Sequence, residues 1–501
     1  MFLKKNANIK IALMYPGNYE SSITNLATHI AYYMLNTYKD VLVDRFTLNN
    51  VTSSAIYSLN LRNFDLALVT LSYELDYVNA LKMIINNGIK LTSDSERRPI
   101  FIAGGPAVTA NPLPVSKFFD AILLGEGEEF FRKLIDLTTL LDSRKRFLES
   151  LSSLGAYVPS LYQGEKIKKQ YIPCLDDAYY PVHQIQSMIK EPIFGKGYIM
   201  EVSRGCPHLC SFCMEAFISY PYRFRSYDKV IEYVSKGLKV NRVDRVIFYS
   251  LSFFDYPYAE KLLEELIAMR VRYSIPSLRA DTLDEYRVSL ISMGGQKTLT
   301  LAPETNSPRM KCIIRKHIDD STLVRVINEG LKLGLDVKLY YLIGIPQESL
   351  SDVRESIKFL INLKASLDRY GRKVRVTVNP LIPKANTPMQ YFPLISREEY
   401  LIKLKLFRSE LPRKYFEIDA LNYNVAYVQA LLSLGDEKLS ELLAAWAIDN
   451  LSLSSIKSLA KKLKLDDVMY RRREPSDNLP WDFIDLGLNL KSIYNLMMKC
   501  I

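Results

Sequence analysis

The sequence predicts an α/β protein: a doubly wound parallel sheet first, a partial (β/α)6 barrel next, and a small helical domain last. Three observations predict this order. Strand and helix patterns alternate over residues 1–145 and again over 196–395, and such alternation implies parallel sheets crossed by helices. Over residues 396–501 the apolar positions follow a helical period without strand signals. The chain of 501 residues is also too long for one ordinary core. Its 48% hydrophobic and 24% charged residues suit a globular protein, and no apolar run approaches the roughly 18 residues of a membrane span. The apolar run near the N-terminus is short and passes straight into Tyr15-Pro16-Gly17, so it reads as a first strand and not as a signal peptide. Six cysteines in so long a chain make no disulfide framework, and a reducing, cytoplasmic compartment is expected.

In the first domain Ile9–Met14, Val41–Phe46, Leu66–Leu71, Ile100–Ala103 and Ala121–Leu124 read as strands, with helices at Ile23–Leu35, 74–86 and 126–140. Ligands of such sheets lie at the carboxyl ends of the strands. The residues there are Tyr15, Thr70, Ser72, Gly104, Gly105, Gly125 and Glu126, and the glycines suit close approach of a backbone to a bulky ligand. Residues 146–195 read as a linker carrying a hairpin of Leu154–Leu161 and Lys166–Ile172, with Cys174 as an ordinary half-buried cysteine.

The second α/β stretch opens with the apolar segment Tyr198–Val202. Further strands are expected at 245–250, 272–278, 297–302, 337–343 and 374–379, with helices at 226–239, 257–270, 282–292, 320–333 and 350–366. Right-handed crossovers close these six units into a partial barrel. Four helices are expected in the tail, where Trp481 reads as a packing anchor. The net charge of +11 is compatible with an anionic partner, and the dense run Arg471–Arg473 reads either as a nucleic-acid contact or as a solvated face.

The most informative stretch is GCPHLCSFCMEAF (205–217), which places Cys206, Cys210 and Cys213 in a C-x3-C-x2-C spacing directly after the first barrel strand. Three thiolates on one loop suit three irons of a [4Fe–4S] cube. The fourth iron is then free for a substrate or cofactor. A structural zinc site wants four ligands, commonly as two C-x2-C pairs, and only one such pair is present.

These residues, with the aromatic Phe212 before the third cysteine, resemble the radical S-adenosylmethionine (SAM) superfamily. The resemblance implies a cluster whose open iron chelates SAM, and reductive cleavage of SAM to a 5′-deoxyadenosyl radical. It also implies an external electron donor such as ferredoxin or flavodoxin. YSLSFFDYP (249–257) stands where that family has Gly-Gly-Glu, so Ser250 and Ser252 are the expected contacts to the SAM amino group. Arg279 in SIPSLRAD is the candidate for the SAM carboxylate. Glu304 in LAPETNSPRM is the candidate for the amino group or ribose, with a helix cap as the alternative, and Gly344 in LIGIPQES for adenine. Lys384 in NPLIPKANTPMQ faces either substrate or solvent.

The stretches GGPAVTANPLP (104–114) and LLGEGEEFF resemble the cobalamin-binding-like domain that precedes the barrel in one subgroup of the superfamily. There is no D-x-H-x-x-G, and His29 lies in a helix, so a cobalamin here lacks a histidine ligand. The domain either holds the corrinoid or serves as a scaffold. The resemblance implies hydrogen abstraction from an unactivated C–H bond, followed by C-methylation or another C–C bond-forming step. The substrate, whether RNA, peptide, lipid or small molecule, stays open. Two other readings compete. Sulfur insertion, as in tRNA methylthiotransferases, wants three further cluster cysteines, and residues 1–145 contain none. A non-catalytic Fe–S binding or regulatory protein has little use for an open-site cluster beside two large domains.

Overall fold

The computed structural model describes residues 4, 7–93, 97–187, 191–276 and 278–500. The chain divides into two compact units. One comprises 1–196, 428–469 and 476–488, and the other 197–427, 470–475 and 489–501.

The first unit is built on five parallel strands: β1 (Ile9–Met14), β2 (Val41–Phe46), β3 (Leu66–Thr70), β4 (Ile100–Gly104) and β5 (Ala121–Leu123). Their spatial order is β2-β1-β3-β4-β5. Strands covered on both faces read as continuous apolar runs, as in Leu66, Ala67, Leu68 and Val69 of β3, all buried. Ile11, Val43, Leu66, Ile100, Leu134 and Phe147 belong to one core of sheet and helix side chains. The strand order reverses between β1 and β3, and in doubly wound sheets ligands generally lie at the carboxyl ends of the strands at such a switch point.

Residues 146–195 do not form the hairpin expected of them. Tyr157 instead bridges Ile122 in an antiparallel sense, and Gln170 bridges Gly125. A short strand β6 (Ile167–Lys168) pairs in parallel with Ile484–Asp485. Both halves of the expected hairpin thus find backbone partners elsewhere in the unit, a choice that local sequence does not encode. The tail is helical as expected, and its helices divide between the units. Leu439–Asp449 and Leu453–Lys462 belong to the first, as does the fully buried Trp481. Leu490–Met498 belongs to the second.

The second unit carries β7 (Tyr198–Glu201), then a short antiparallel pair, β8 (Ser203–Arg204) and β9 (Arg223–Phe224). Six further strands follow: β10 (Arg245–Tyr249), β11 (Arg272–Ser274), β12 (Thr298–Glu304), β13 (Asp336–Ile343), β14 (Val374–Pro380) and β15 (Phe416–Ala420). They form two parallel sheets, β11-β10-β7 and β12-β13-β14-β15. Gln296 links the two, because its amide accepts from Ile275 N–H at 2.8 Å and donates to the Thr298 carbonyl at 2.9 Å. β15 was not expected, because its alternate residues are solvated and it is apolar only in part. In β13 the residues Val337, Leu339, Tyr341 and Ile343 are buried and alternate with half-buried Lys338, Tyr340 and Leu342. Tyr341 meets Phe407 of the helix Arg397–Glu410, so the buried set packs under helices and the half-buried set faces the barrel interior.

Two expectations need correction. Against the expectation of no disulfide, Cys312 and Cys500, each isolated from the other cysteines in sequence, are joined by one across a separation of 188 residues. The run Arg471–Arg473 is a solvated face only in part, since Arg471 and Arg472 are exposed and Arg473 is buried. Arg472 lies over the Phe392 ring at 4.0 Å, and the buried Arg473 donates to the Gln390 carbonyl. Among the described residues no helix is long and apolar enough to cross a membrane.

Gly125 has φ +104°, and a Cβ there would lie 2.1 Å from the Gln170 carbonyl oxygen. Gly125→Ala is therefore expected to cost about 2 kcal/mol or more of stability through clash and backbone strain. A urea titration of the variant beside the wild type checks this, with a lowered midpoint expected.

Candidate functional site

Parallel strands present all their carboxyl ends at one edge, and the cysteine loop leaves the second unit at that edge, after β7. The β8–β9 pair pinches the loop at its base. Gly205 makes the entry possible, since its φ is +78° and a Cβ would lie 2.7 Å from the Pro221 carbonyl oxygen. The middle of the loop is tied down by the fully buried Ser211. Its backbone N–H donates to the Ile314 carbonyl and its hydroxyl to the Ile313 carbonyl, both at 3.0 Å. A turn closed by Cys213 N–H on the Cys210 carbonyl leads into the helix Met214–Ile218.

Cys210 is buried, and Cys206 and Cys213 are half-buried. Burial pushes the Cys213 thiol up to about 12, and the neighbouring thiols add to that; the same causes raise Cys206. Thiols that resist ionisation in the bare chain ionise outright when they coordinate a metal. The donor set of three cysteines on one loop, with a cation beside it, fits three corners of a [4Fe–4S] cube. Among the described residues no three Cys, His, Asp or Glu side chains gather as a site for a single ion.

The cation is Arg279. Its Nη1 donates to Cys210 Sγ at 3.4 Å, while Nε and Nη2 donate to the two carboxylate oxygens of Asp281 at 3.1 and 2.7 Å. Burial opposes the Arg279 charge, but Asp281 and the Cys210 sulfur hold its pKa above the ordinary value. The guanidinium edge expected to face the SAM carboxylate is occupied by Asp281.

Glu304 ends β12 with φ +66° and forms a buried ion pair with Lys316, Oε1 to Nζ at 2.9 Å. The same ammonium lies 5.9 Å from the centroid of Phe212. After β10, the Ser250 hydroxyl lies 2.7 Å from that of Ser203 and accepts from the Ser252 N–H. His208 Nε2 lies 2.7 Å from Asp255 Oδ2, which ties the cysteine loop to the loop after β10. Burial works to raise the Asp255 carboxyl, but the His208 hydrogen bond helps to hold it below the usual range. Gly344, with φ +84°, donates its N–H to Glu348 Oε2 at 2.7 Å and packs on Ile395. Lys384 is half-buried in the loop after β14.

The structure thus brings Arg279 onto Cys210 directly, while Glu304 reaches the cysteine loop only through Lys316, which lies near the Phe212 ring. Lys316, Asp255 and Asp281 were missed. Asp281 closes SIPSLRAD and Asp255 lies inside the stretch that replaces Gly-Gly-Glu, whereas Lys316 stands in no motif.

In the first unit, Tyr15 follows β1, while Thr70 ends β3 and Ser72 follows it, so all three stand at the switch point. Asp76 joins them by accepting from the Ser72 and Tyr73 N–H groups at 3.1 and 3.0 Å. Burial lifts its carboxyl to about 6. A Cβ on Gly104 meets nothing closer than 3.8 Å. Gly105 and Gly125 instead make room for the chain itself, against the Leu71 and Gln170 carbonyls. Glu126 accepts from the Ile172 N–H at 2.8 Å. His29 is fully buried, with Nε2 donating to the Ile23 carbonyl and Nδ1 accepting from the Ile185 N–H. Burial lowers its pKa to about 4, so the ring is neutral and both nitrogens are in use.

Comparison with known proteins gives a consistent picture. Residues 27–159 match the family model described as the N-terminal region of radical SAM proteins, and residues 200–360 match that of the radical SAM superfamily. The uncharacterized protein MJ0966 of Methanocaldococcus jannaschii is 35% identical over 438 residues, covering 86% of this chain and 90% of its own. The uncharacterized methyltransferase PH0819 of Pyrococcus horikoshii is 26% identical and covers 54% of this chain and 59% of its own. Among solved structures, the radical SAM methyltransferase TsrM of Kitasatospora setae, bound to tryptophan and a SAM analogue, aligns with a TM-score of 0.50. It shares 14% identity over 73% of this chain and 72% of its own.

Two measurements test the electrostatics. Removing one partner of a buried ion pair strands the other charge, so Lys316→Met is expected to cost about 3 kcal/mol or more. Adding Glu304→Gln should return part of that loss in urea unfolding of the apoprotein. His29 has a folded pKa below its unfolded value, so its contribution to stability is full above about 6.5 and is lost as pH falls through about 4. The loss amounts to about 3 kcal/mol, and the thermal midpoint should fall less steeply over that window in His29→Asn.

Proposed function

The chain belongs to the radical SAM superfamily, and on that premise we propose that it is a cobalamin-dependent enzyme that methylates an unactivated carbon. The observation that carries this reading is the presence, in one chain, of the three-cysteine loop after β7 and a parallel sheet whose order reverses between β1 and β3. The Pyrococcus relative is named a methyltransferase and the Kitasatospora enzyme is one, which supports methyl transfer over other radical outcomes.

When bound, a [4Fe–4S] cluster with SAM supplies a 5′-deoxyadenosyl radical for hydrogen abstraction, and cobalamin supplies a transferable methyl group. Cys206, Cys210 and Cys213 are the residues that would hold the cluster. The Ser211 hydrogen bonds and the His208–Asp255 contact keep that loop in place. Ser250, Ser252, Glu304 and Gly344 lie at or after strand ends around the loop and are the proposed SAM contacts. Phe212 shields the loop and packs against the Lys316 ammonium. At the switch point Tyr15, Thr70, Ser72 and the open Gly104 are the proposed corrin-facing residues. Gly105, Gly125 and Glu126 act behind them by packing the loops. His29 is committed to two backbone groups and would not be available to a bound corrinoid. A one-electron donor of the ferredoxin or flavodoxin class supplies the reducing equivalent, in a cytoplasmic setting.

The test is anaerobic purification with a reconstituted cluster and added hydroxocobalamin, followed by metal analysis, absorption spectroscopy and assay of 5′-deoxyadenosine. The expected result is about four irons per chain, lost in Cys206→Ala, with deoxyadenosine formed under reduction. Stoichiometric corrin absorbance is expected to survive desalting. Iron-free protein holding zinc would sink the reading, and absence of retained corrin would remove cobalamin from it.

A further inference from the structure

We propose that Arg279 is a positioning residue for the redox chemistry of the cluster: its guanidinium donates a hydrogen bond to the Cys210 ligand sulfur and raises the cluster's reduction potential. This rests on the assignment of Cys206, Cys210 and Cys213 as cluster ligands. The argument comes from the geometry of one planar group. Asp281 takes the Nε and Nη2 side of the guanidinium with both carboxylate oxygens, at 3.1 and 2.7 Å. That fork-to-fork pairing fixes the plane of the group. It leaves Nη1 as the free corner, and Nη1 lies 3.4 Å from Cys210 Sγ. The backbone is fixed as well, because Arg279 precedes the single turn Ala280–Thr282 and its carbonyl accepts from the Thr282 hydroxyl at 2.9 Å.

Arg279 is 9% exposed and Cys210 is 6% exposed, so water screens the contact weakly. An arginine side chain stays protonated, so its charge is constant across the working pH range. Reduction transfers one electron from a low-potential one-electron donor to the cluster, with no bond made or broken. The added negative charge spreads onto the ligand sulfurs, where a hydrogen bond from a cation favours the reduced state. Asp281 partly offsets this and sets the net effect. A residue that only clamps the SAM carboxylate behaves differently, since it leaves the potential of the SAM-free cluster unchanged.

The experiment is an anaerobic redox titration, followed by electron paramagnetic resonance without SAM, on reconstituted wild type, Arg279→Gln, Arg279→Lys and Asp281→Asn. Arg279→Gln is expected to hold about tenfold less reduced cluster at a fixed ambient potential, which is 59 mV for one electron. Arg279→Lys keeps the charge without the fork and should fall between that variant and wild type. Asp281→Asn removes an anion and should shift the potential upward, a sign that general loosening of the loop does not predict. If Arg279→Gln does not retain its iron, the Lys and Asn variants carry the comparison. Wild-type potentials in iron-replete variants, or downward shifts in all of them, overturn the assignment of Arg279. Failure of the wild-type chain to take up a cluster overturns the three-cysteine reading instead.

Discussion

Three thiols folded into a half-buried loop set the main constraint on the second unit, because they bind a cluster only as anions and burial resists that charge. Burial drives Cys213 up to about 12 in the bare chain. Positive charge must come from the cluster's irons and from the protein around them. Arg279 contacts one sulfur directly, and Lys316 lies over the ring of Phe212 within the same loop. Each of these cations is itself held by a carboxylate, Asp281 and Glu304 respectively. The surroundings of the loop are therefore a set of paired charges and not a bare cationic pocket. Such pairs hold geometry better than isolated charges, since a buried ion without its partner is costly.

The first unit meets a different constraint, the close approach of backbone to backbone. Gly105 and Gly125 follow successive strands with φ of +119° and +104°, and both face a carbonyl of their own chain. Their glycine character lets the loops after those strands pack closely on neighbouring backbone. The switch point lies one strand pair away, where Tyr15, Thr70 and Ser72 stand with Asp76. His29, the histidine nearest to a cobalt-ligand motif in sequence, is spent on two backbone hydrogen bonds.

The strand–helix order of both units was legible because period and burial are local. Every strand of the first sheet, and six of the barrel, stand where apolar runs and turn residues place them. β15 escaped because a strand covered on one side shows too few apolar residues to stand out from a helical tail. The expected hairpin failed for the opposite reason. Its two halves have strand character, but their partners are Ile122 and residues near 484, which no local pattern announces.

The cysteine loop was legible by itself, since spacing along the chain dictates which thiols share a turn. Roles that depend on partners were not. Arg279 stood out in its motif, yet whether its fork meets a ligand or Asp281 depends on side-chain placement in three dimensions. Lys316 carries no signal of its own and matters only because folding brings it onto Glu304 and Phe212. Cys312 and Cys500 looked isolated until the fold closed a separation of 188 residues. Sequence alone determined the order of elements and the three-cysteine loop, because both rest on short-range spacing and apolar period. Tertiary structure decided which charges neighbour that loop and which glycines serve packing, because electrostatic pairing and steric clearance arise between residues far apart in the chain.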